Sequence, residues 1–265
     1  MKIAFLGVGN MAQPIIQGII NRGVLEPENV VLFAVDTEKM NSFAESVGAA
    51  AADSAESDVK AADILMLAVK PQIMQNLLTE LSAVLEEKKP SIISIAAGKT
   101  TEFIQSCLNY EAKIARIFPN LNAKVSESIS AFCGNKNADA DFLSVVEKIA
   151  LSFGKAIALD EEYFPVFGVL AGCAPAYTFL YIKSLCDAAK EAGLPEDLAY
   201  KTAVQVVLGS AKLLSSVSES PETMIDRVCS PGGTTIEGIK SLKENSFQEI
   251  VSKAFNASLN RDKSL

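Results

Sequence analysis

The chain of 265 residues contains no histidine and no tryptophan. Without an imidazole, Ser-His-Asp hydrolysis and alcohol dehydrogenation through a His base are excluded. The same absence argues against a zinc site, and no metal is expected. Positive charge is also in deficit: 24 Lys and Arg against 32 Asp and Glu give a formal net charge of −8 and a pI near 4.8. With no polybasic run either, nucleic acid is not an expected partner, and an anionic ligand must be held by local dipoles and single cations. The cysteines, Cys107, Cys133, Cys173, Cys186 and Cys229, form no C-x-x-C pair and are odd in number. They read as small buried thiols in a reducing compartment. The first apolar run begins at residue 3, which leaves no room for a signal peptide and points to the cytoplasm.

Apolar residues are plentiful, at 49% hydrophobic, enough for one or two well-packed α/β or α domains. One stretch, Tyr163 to Ile182, approaches the length of a bilayer span. Pro165, Gly168, Gly172 and Pro175 break it up and no basic flank marks a cytoplasmic end. A helix pair buried in a core or a subunit interface is expected there, with no membrane.

Over residues 1–160, β-rich runs alternate with helical patterns, which predicts right-handed βαβ units and a mostly parallel, Rossmann-like sheet. The strands expected are Lys2 to Leu6, Val30 to Val35, Ile64 to Ala68, Ile92 to Ile95, Ile114 to Phe118, Ser128 to Cys133 and Lys155 to Leu159. Over residues 161–265 helical spacing takes over, predicting an all-helical substrate and dimerisation domain. Its helices run roughly from Glu161 to Leu170, Pro175 to Ala192, Pro195 to Ser216, Pro221 to Val228, Thr235 to Glu244 and Ser246 to Leu259.

Directly after the first strand, Gly7-Val8-Gly9-Asn10-Met11-Ala12 reads as G-x-G-x-x-A opening a helix. The first Gly permits the tight turn, the second lets a pyrophosphate approach the backbone, and the small third residue lets helix and strand pack closely. The helix N-terminus then offers unpaired N–H groups to the anion. Asp36, beyond the second strand, stands where an acid binds the adenosine ribose of NAD, unless it only opens the helix at Thr37-Glu38-Lys39. With no Arg beside it the cofactor leans towards NADH, while Lys39 and Thr37 keep NADPH open. Lys70-Pro71-Gln72 follows the third expected strand, with Pro71 expected to begin a helix; Lys70 is a ligand-facing cation or solvated punctuation. Ser94 to Gly98 ends the next strand in small residues, making space for a flat ring or simply packing. Arg116-Ile117-Phe118-Pro119-Asn120 closes a further strand, its Pro-Asn pair also compatible with a turn.

In the helical half, Ala171 to Tyr177 is expected to expose a fresh helix N-terminus suited to an anion. Ser230-Pro231-Gly232-Gly233-Thr234-Thr235 makes a nest suited to a carboxylate, or a plain cap with Thr234 satisfying the first turn. Chemistry without a histidine should need little acid–base help, and reduction of a C=N bond fits: an iminium accepts hydride, and water can supply its proton.

These motifs, in order, resemble the pyrroline-5-carboxylate reductase family, which makes L-proline from 1-pyrroline-5-carboxylate with NADPH or NADH. The likeness covers the whole chain. It implies that Gly7, Val8, Gly9, Asn10 and Met11 lie under the pyrophosphate, Asp36 near the ribose, and Val69, Lys70 and Ala97 at the nicotinamide. It implies a substrate carboxylate on Gly232, Gly233 and Thr234, the Thr235 hydroxyl near the imine nitrogen, and Glu161 in the same pocket. Thr235 and Lys70 are then the catalytic candidates. Such proteins are homodimers with interlocked helical domains, often assembled into rings as large as a decamer, each site drawing on both subunits. The chain departs from the family pattern at Ala171 to Ala174, where two hydroxyls and a Gly are lost, at Pro165 and Gly168, where many relatives have Asp and Thr, and at Phe118, where they have Met. A β-hydroxyacid dehydrogenase is the nearest rival, but its Lys base would fall at Thr178, and Lys183 lies too far on. A non-catalytic nucleotide sensor is the rival of another class, supported only by the altered turn at 171 to 174.

Overall fold

The computed structural model describes residues 1–262. The chain divides into two compact units, Met1–Gly172 and Cys173–Arg261. The first contains, in order, β1 (Ile3–Leu6), α1 (Ala12–Asn21), β2 (Val30–Phe33), α2 (Thr37–Val47), β3 (Ala50–Ala51), α3 (Ala55–Ala61), β4 (Ile64–Leu67), α4 (Met74–Glu80), α5 (Ser82–Lys88), β5 (Ser91–Ser94), α6 (Thr101–Ser106), β6 (Ile114–Phe118), β7 (Ser128–Gly134), α7 (Ala140–Leu151), β8 (Gly154–Ala158) and α8 (Phe164–Gly168).

The strands form one 8-stranded sheet in the order β3-β2-β1-β4-β5-β6-β7-β8. Strands β1 to β6 are parallel to their neighbours and β7 enters antiparallel to β6. The reason lies in the connection: only a short 3-10 turn at Leu121–Val125 separates β6 from β7, too little for a crossover. Helix α7 supplies the next crossover, so β7 and β8 pair in parallel. Alternate residues of β1 feed opposite cores: Ile3 and Phe5 pack with Ile15, Ile16 and Ile19 of α1, whereas Ala4 and Leu6 pack with Val59 of α3 and Leu78 of α4. A strand covered by helices on both faces needs an unbroken apolar run, as its sequence has. Strand β3 carried no such signal, being two alanines at the sheet edge.

The second unit is helical: α9 (Ala174–Glu191), α10 (Glu196–Ser216), α11 (Pro221–Val228), α12 (Thr234–Glu244) and α13 (Phe247–Asp262). The expected break at Gly172 and Pro175 does not occur. Helical backbone continues from α8 through a π turn at Val169–Cys173 into α9; Pro175 has no N–H to give the Ala171 carbonyl four residues back, and the Asn120 side chain supplies that donor instead. All the cysteines are free thiols, but Cys186 alone is buried and the others are half-buried.

One buried group is out of keeping with its surroundings. Asp58 on α3 is wholly buried, and neither carboxyl oxygen finds a hydrogen-bond partner among the described residues. Burial pushes its pKa up to about 8. The unfolded chain releases that proton near pH ~4 while the folded chain keeps it, so stability falls as pH rises, by about 1.4 kcal/mol per unit across that window. The contribution is full below pH ~4 and lost towards pH 8. Asp58→Asn removes the titrating group, and urea unfolding midpoints of the variant should lack this slope. A wild-type-to-variant difference that does not change with pH would refute the assignment.

Candidate active site

Four adjacent parallel strands, β2, β1, β4 and β5, end at one rim of the sheet, and chain order reverses between β1 and β4. Ligands of open α/β sheets bind at this switch point. The rim gathers Gly7 to Met11, Asp36, Val69 and Lys70, and Ala97, the residues singled out in the first unit.

Gly7 joins two strand exits. Its φ of +104° is unfavourable for any side chain, and a Cβ there would stand 2.6 Å from the Ala68 carbonyl oxygen. Its N–H donates to the Phe33 carbonyl at 2.8 Å, tying it to β2 as well. Gly9 differs: a Cβ there would meet nothing within 4 Å, so its backbone faces open space. No side chain caps α1. An open glycine beside an uncapped helix start suits a pyrophosphate, which takes its hydrogen bonds from backbone N–H groups.

Asp36 caps α2: Oδ1 accepts from the Lys39 N–H at 3.2 Å and Oδ2 pairs with Lys39 Nζ at 2.9 Å. The helix-opening alternative is therefore realised, and it leaves the carboxylate at the rim. Lys70 is exposed, but Pro71 does not begin a helix; a turn intervenes and α4 starts at Met74. Beyond β5, Ala96 is buried and Ala97 and Gly98 are exposed, with Ser94 Oγ accepting from the Ala96 N–H at 3.2 Å.

Glu161 is tightly held. Its Oε1 accepts from Arg116 Nη1 at 2.7 Å and from the Thr101 N–H at 2.8 Å, and its Oε2 from Thr101 Oγ1 at 2.9 Å. The buried Arg116 guanidinium also lies 4.7 Å from the centre of the Phe164 ring. Sequence reading put Arg116 at the end of a strand and missed this pairing, whose partners are 45 residues apart.

Asn120 is also more than a turn residue. Buried, it donates from Nδ2 to the Ala171 carbonyl at 3.0 Å and accepts from the Asn122 N–H at 3.1 Å. Residue 175, four on from Ala171, is a proline with no N–H to offer that carbonyl, and Asn120 satisfies it. Nearby, Phe118 packs edge-on against Phe164 and Phe167, with centroids 6.4 Å and 6.2 Å away. Since the helix runs on here, Ala171 to Tyr177 offers no fresh N-terminus, contrary to the sequence expectation.

In the helical unit, Ser230 to Gly233 form a type II turn: the Gly233 N–H donates to the Ser230 carbonyl at 3.0 Å, with Gly232 at φ +71° behind Pro231. Helix α12 begins at Thr234 with Gly233 as its N-cap and no side-chain cap. Thr234 therefore does not satisfy the first turn; it and Thr235 are exposed beside uncapped N–H groups. The arrangement suits a carboxylate.

Residues 161–265 match the family model described as pyrroline-5-carboxylate reductase dimerisation, and residues 2–98 match that for coenzyme F420-dependent NADP oxidoreductases. The pyrroline-5-carboxylate reductase of Escherichia coli is 36% identical over 265 residues, covering 100% of this chain and 98% of its own. The chain belongs to the pyrroline-5-carboxylate reductase family. The enzyme from Streptococcus pyogenes superimposes with a TM-score of 0.89 at 33% identity, covering 100% of this chain and 99% of that one. The reductase of Plasmodium falciparum, solved with NADP bound, gives a TM-score of 0.88 at 29% identity, with 100% and 97% covered.

Two departures from the reductase pattern explain one another. A Cβ on residue 168 would stand 2.8 Å from Phe118 Cζ, so the larger ring at 118 and the missing side chain at 168 fit together. Gly168→Ala should destabilise the protein by roughly 1–3 kcal/mol through this overlap. Phe118→Met, which shortens the opposing group, should recover most of that loss. Thermal unfolding of the two single variants and the double variant measures the coupling; additive effects would show that the positions are independent.

Proposed function

We propose that this chain reduces the C=N bond of 1-pyrroline-5-carboxylate to L-proline with NADPH or NADH. The observation that carries the reading is the pair of uncapped anion cradles, at α1 and at Ser230–Thr235, within a chain similar over its full length to enzymes of that name. When bound, the reduced nicotinamide supplies the hydride for the imine carbon. All other roles fall to the chain.

Gly7, Val8, Gly9, Asn10 and Met11 receive the pyrophosphate on backbone N–H groups, and Asp36 lies at the adenosine end. Val69, Lys70 and Ala97 border the nicotinamide end, where Lys70 adds a cation to a chain of net charge −8. Gly232, Gly233 and Thr234 hold the substrate carboxylate. The Thr235 hydroxyl orients the imine nitrogen, whose proton comes from water. Glu161, held by Thr101 and Arg116, presents the rest of its carboxylate as a polar wall. This division of labour explains how a chain without histidine performs the reaction: placement and fixed dipoles replace a general base. The rival dehydrogenase reading is weakened, since Thr178 is spent on the Ala174 carbonyl at 3.0 Å and Lys183 pairs with Asp187.

We propose further that residues 161–265 serve as the substrate and dimerisation domain and that the protein is a cytoplasmic homodimer, which assembles further into a decamer. Glu161–Glu191 is long and apolar enough to cross a membrane, yet only 11% of its most apolar window is buried within the chain. Exposed Phe179, Leu180, Tyr181, Tyr200, Val206 and Leu208 extend the same character over the helical unit. A second copy covering these groups accounts for them.

Incubation with 1-pyrroline-5-carboxylate and each reduced dinucleotide should consume nicotinamide absorbance and form proline; no turnover with either, in protein that binds both, would sink the reading. Thr235→Ala should lower kcat about 10- to 100-fold while dinucleotide Kd stays within about twofold. Unchanged kcat would remove Thr235 from the site. Gly9→Val should abolish dinucleotide binding by filling the space above the turn, and tight NADH binding by the folded variant would contradict that placement.

A further inference from the structure

We infer that Asp36, held in place by its bonds to Lys39, makes the adenosine end of this site select dinucleotides that lack a 2′-phosphate. The inference rests on the proposed placement of the pyrophosphate at Gly7–Met11.

Asp36 lines a hollow of about 640 Å³ together with Gln13, Glu38, Lys39 and Phe43. Gln13 connects that hollow to the glycine-rich turn, since its Nε2 donates to the Val8 carbonyl at 3.3 Å. One lining residue of the hollow is therefore bonded directly to the turn that would take the pyrophosphate. Charge within it is unevenly matched: among the lining residues two carboxylates, Asp36 and Glu38, face one ammonium, Lys39. That ammonium is already paired with Asp36 Oδ2 at 2.9 Å. The other Asp36 oxygen is fixed by the backbone N–H of Lys39, so the carboxylate cannot turn away without uncapping α2.

A ribose 2′-hydroxyl is a donor and can bond such a carboxylate. A 2′-phosphate brings about two negative charges against it and has only acceptors to offer. Drawing Lys39 onto the phosphate would strip Asp36 of its counter-ion beside a dianion, so the lysine cannot reverse the preference. The same Lys39 contacts hold the Asp36 carboxyl below the usual carboxylate range, and it stays ionised at any pH where the enzyme would be assayed. NADP bound to the Plasmodium relative makes the inference a strict one, since it requires this chain to differ at the adenosine end.

Calorimetric titration of the intact protein with ADP-ribose and with 2′-phospho-ADP-ribose tests this without any turnover. ADP-ribose should bind roughly tenfold or more tightly than its 2′-phosphate. Asp36→Asn keeps a good helix cap while removing the charge, and should bring the two affinities within about threefold of each other. Equal affinities in the wild type, or a ratio that the variant leaves unchanged, would overturn the role of Asp36. If neither probe binds, the placement of the dinucleotide at this rim is itself refuted and the inference falls with it.

Discussion

The Ala68 carbonyl of the β4 exit lies where a side chain on residue 7 would have to stand, and the candidate dinucleotide rim depends on that approach. Gly7 lets β1 turn into α1 within van der Waals reach of β4 while its N–H still bonds the exit of β2. Three neighbouring strand ends are thereby drawn to one point, and the uncapped start of α1 is aimed across it. A side chain at 7 would push α1 away from the sheet and separate the backbone donors of the turn from Lys70 and Ala97.

A second constraint follows from composition. With no imidazole and an excess of carboxylates, the proposed sites offer anions peptide dipoles rather than clustered cations. The two helix starts assigned to anions, at α1 and α12, lack side-chain caps, as do α4, α5, α8, α9 and α10, whereas α2, α3, α6, α7 and α11 are capped by Asp36, Ser54, Thr100, Asp139 and Ser220. What sets α1 and α12 apart is the glycine before each: a side chain at Gly9 would meet open space, and Gly233 itself caps α12 with no side chain, so the first N–H groups stay open to a ligand.

The end of the sheet unit shows how distant residues set local backbone. Asn120 supplies a donor for Ala171, Phe118 fills the space above Gly168, and Glu161 locks onto Arg116 and Thr101. These contacts keep 161–172 with the sheet unit, although its sequence reads as the opening of the helical half. The π turn belongs to the same arrangement: it lies just before Pro175, whose missing N–H strands the Ala171 carbonyl and calls for the outside donor.

Strand positions, the glycine-rich turn, the loop at Ser230–Gly233 that opens α12 and the helical second half were legible in the sequence. Each depends on a local period or on the conformational freedom of Gly and Pro, and these are written within a few residues. Antiparallel β7, the two-alanine strand β3, the unbroken helix through Pro175 and the bonds made by Arg116, Asn120 and Glu161 were not. The side-chain bonds depend on which groups meet across 45 to 60 residues of chain, the helix through Pro175 on the outside donor from Asn120, β7 on the short link after β6, and β3 on its place at the sheet edge. Burial then decides the rest: it left Asp58 without a side-chain or backbone partner among the described residues, and it made Arg116 the anchor of Glu161. Local sequence determined where the anion cradles lie; tertiary packing decided which charged groups remain to work beside them, because only packing sets how far each charge is removed from water.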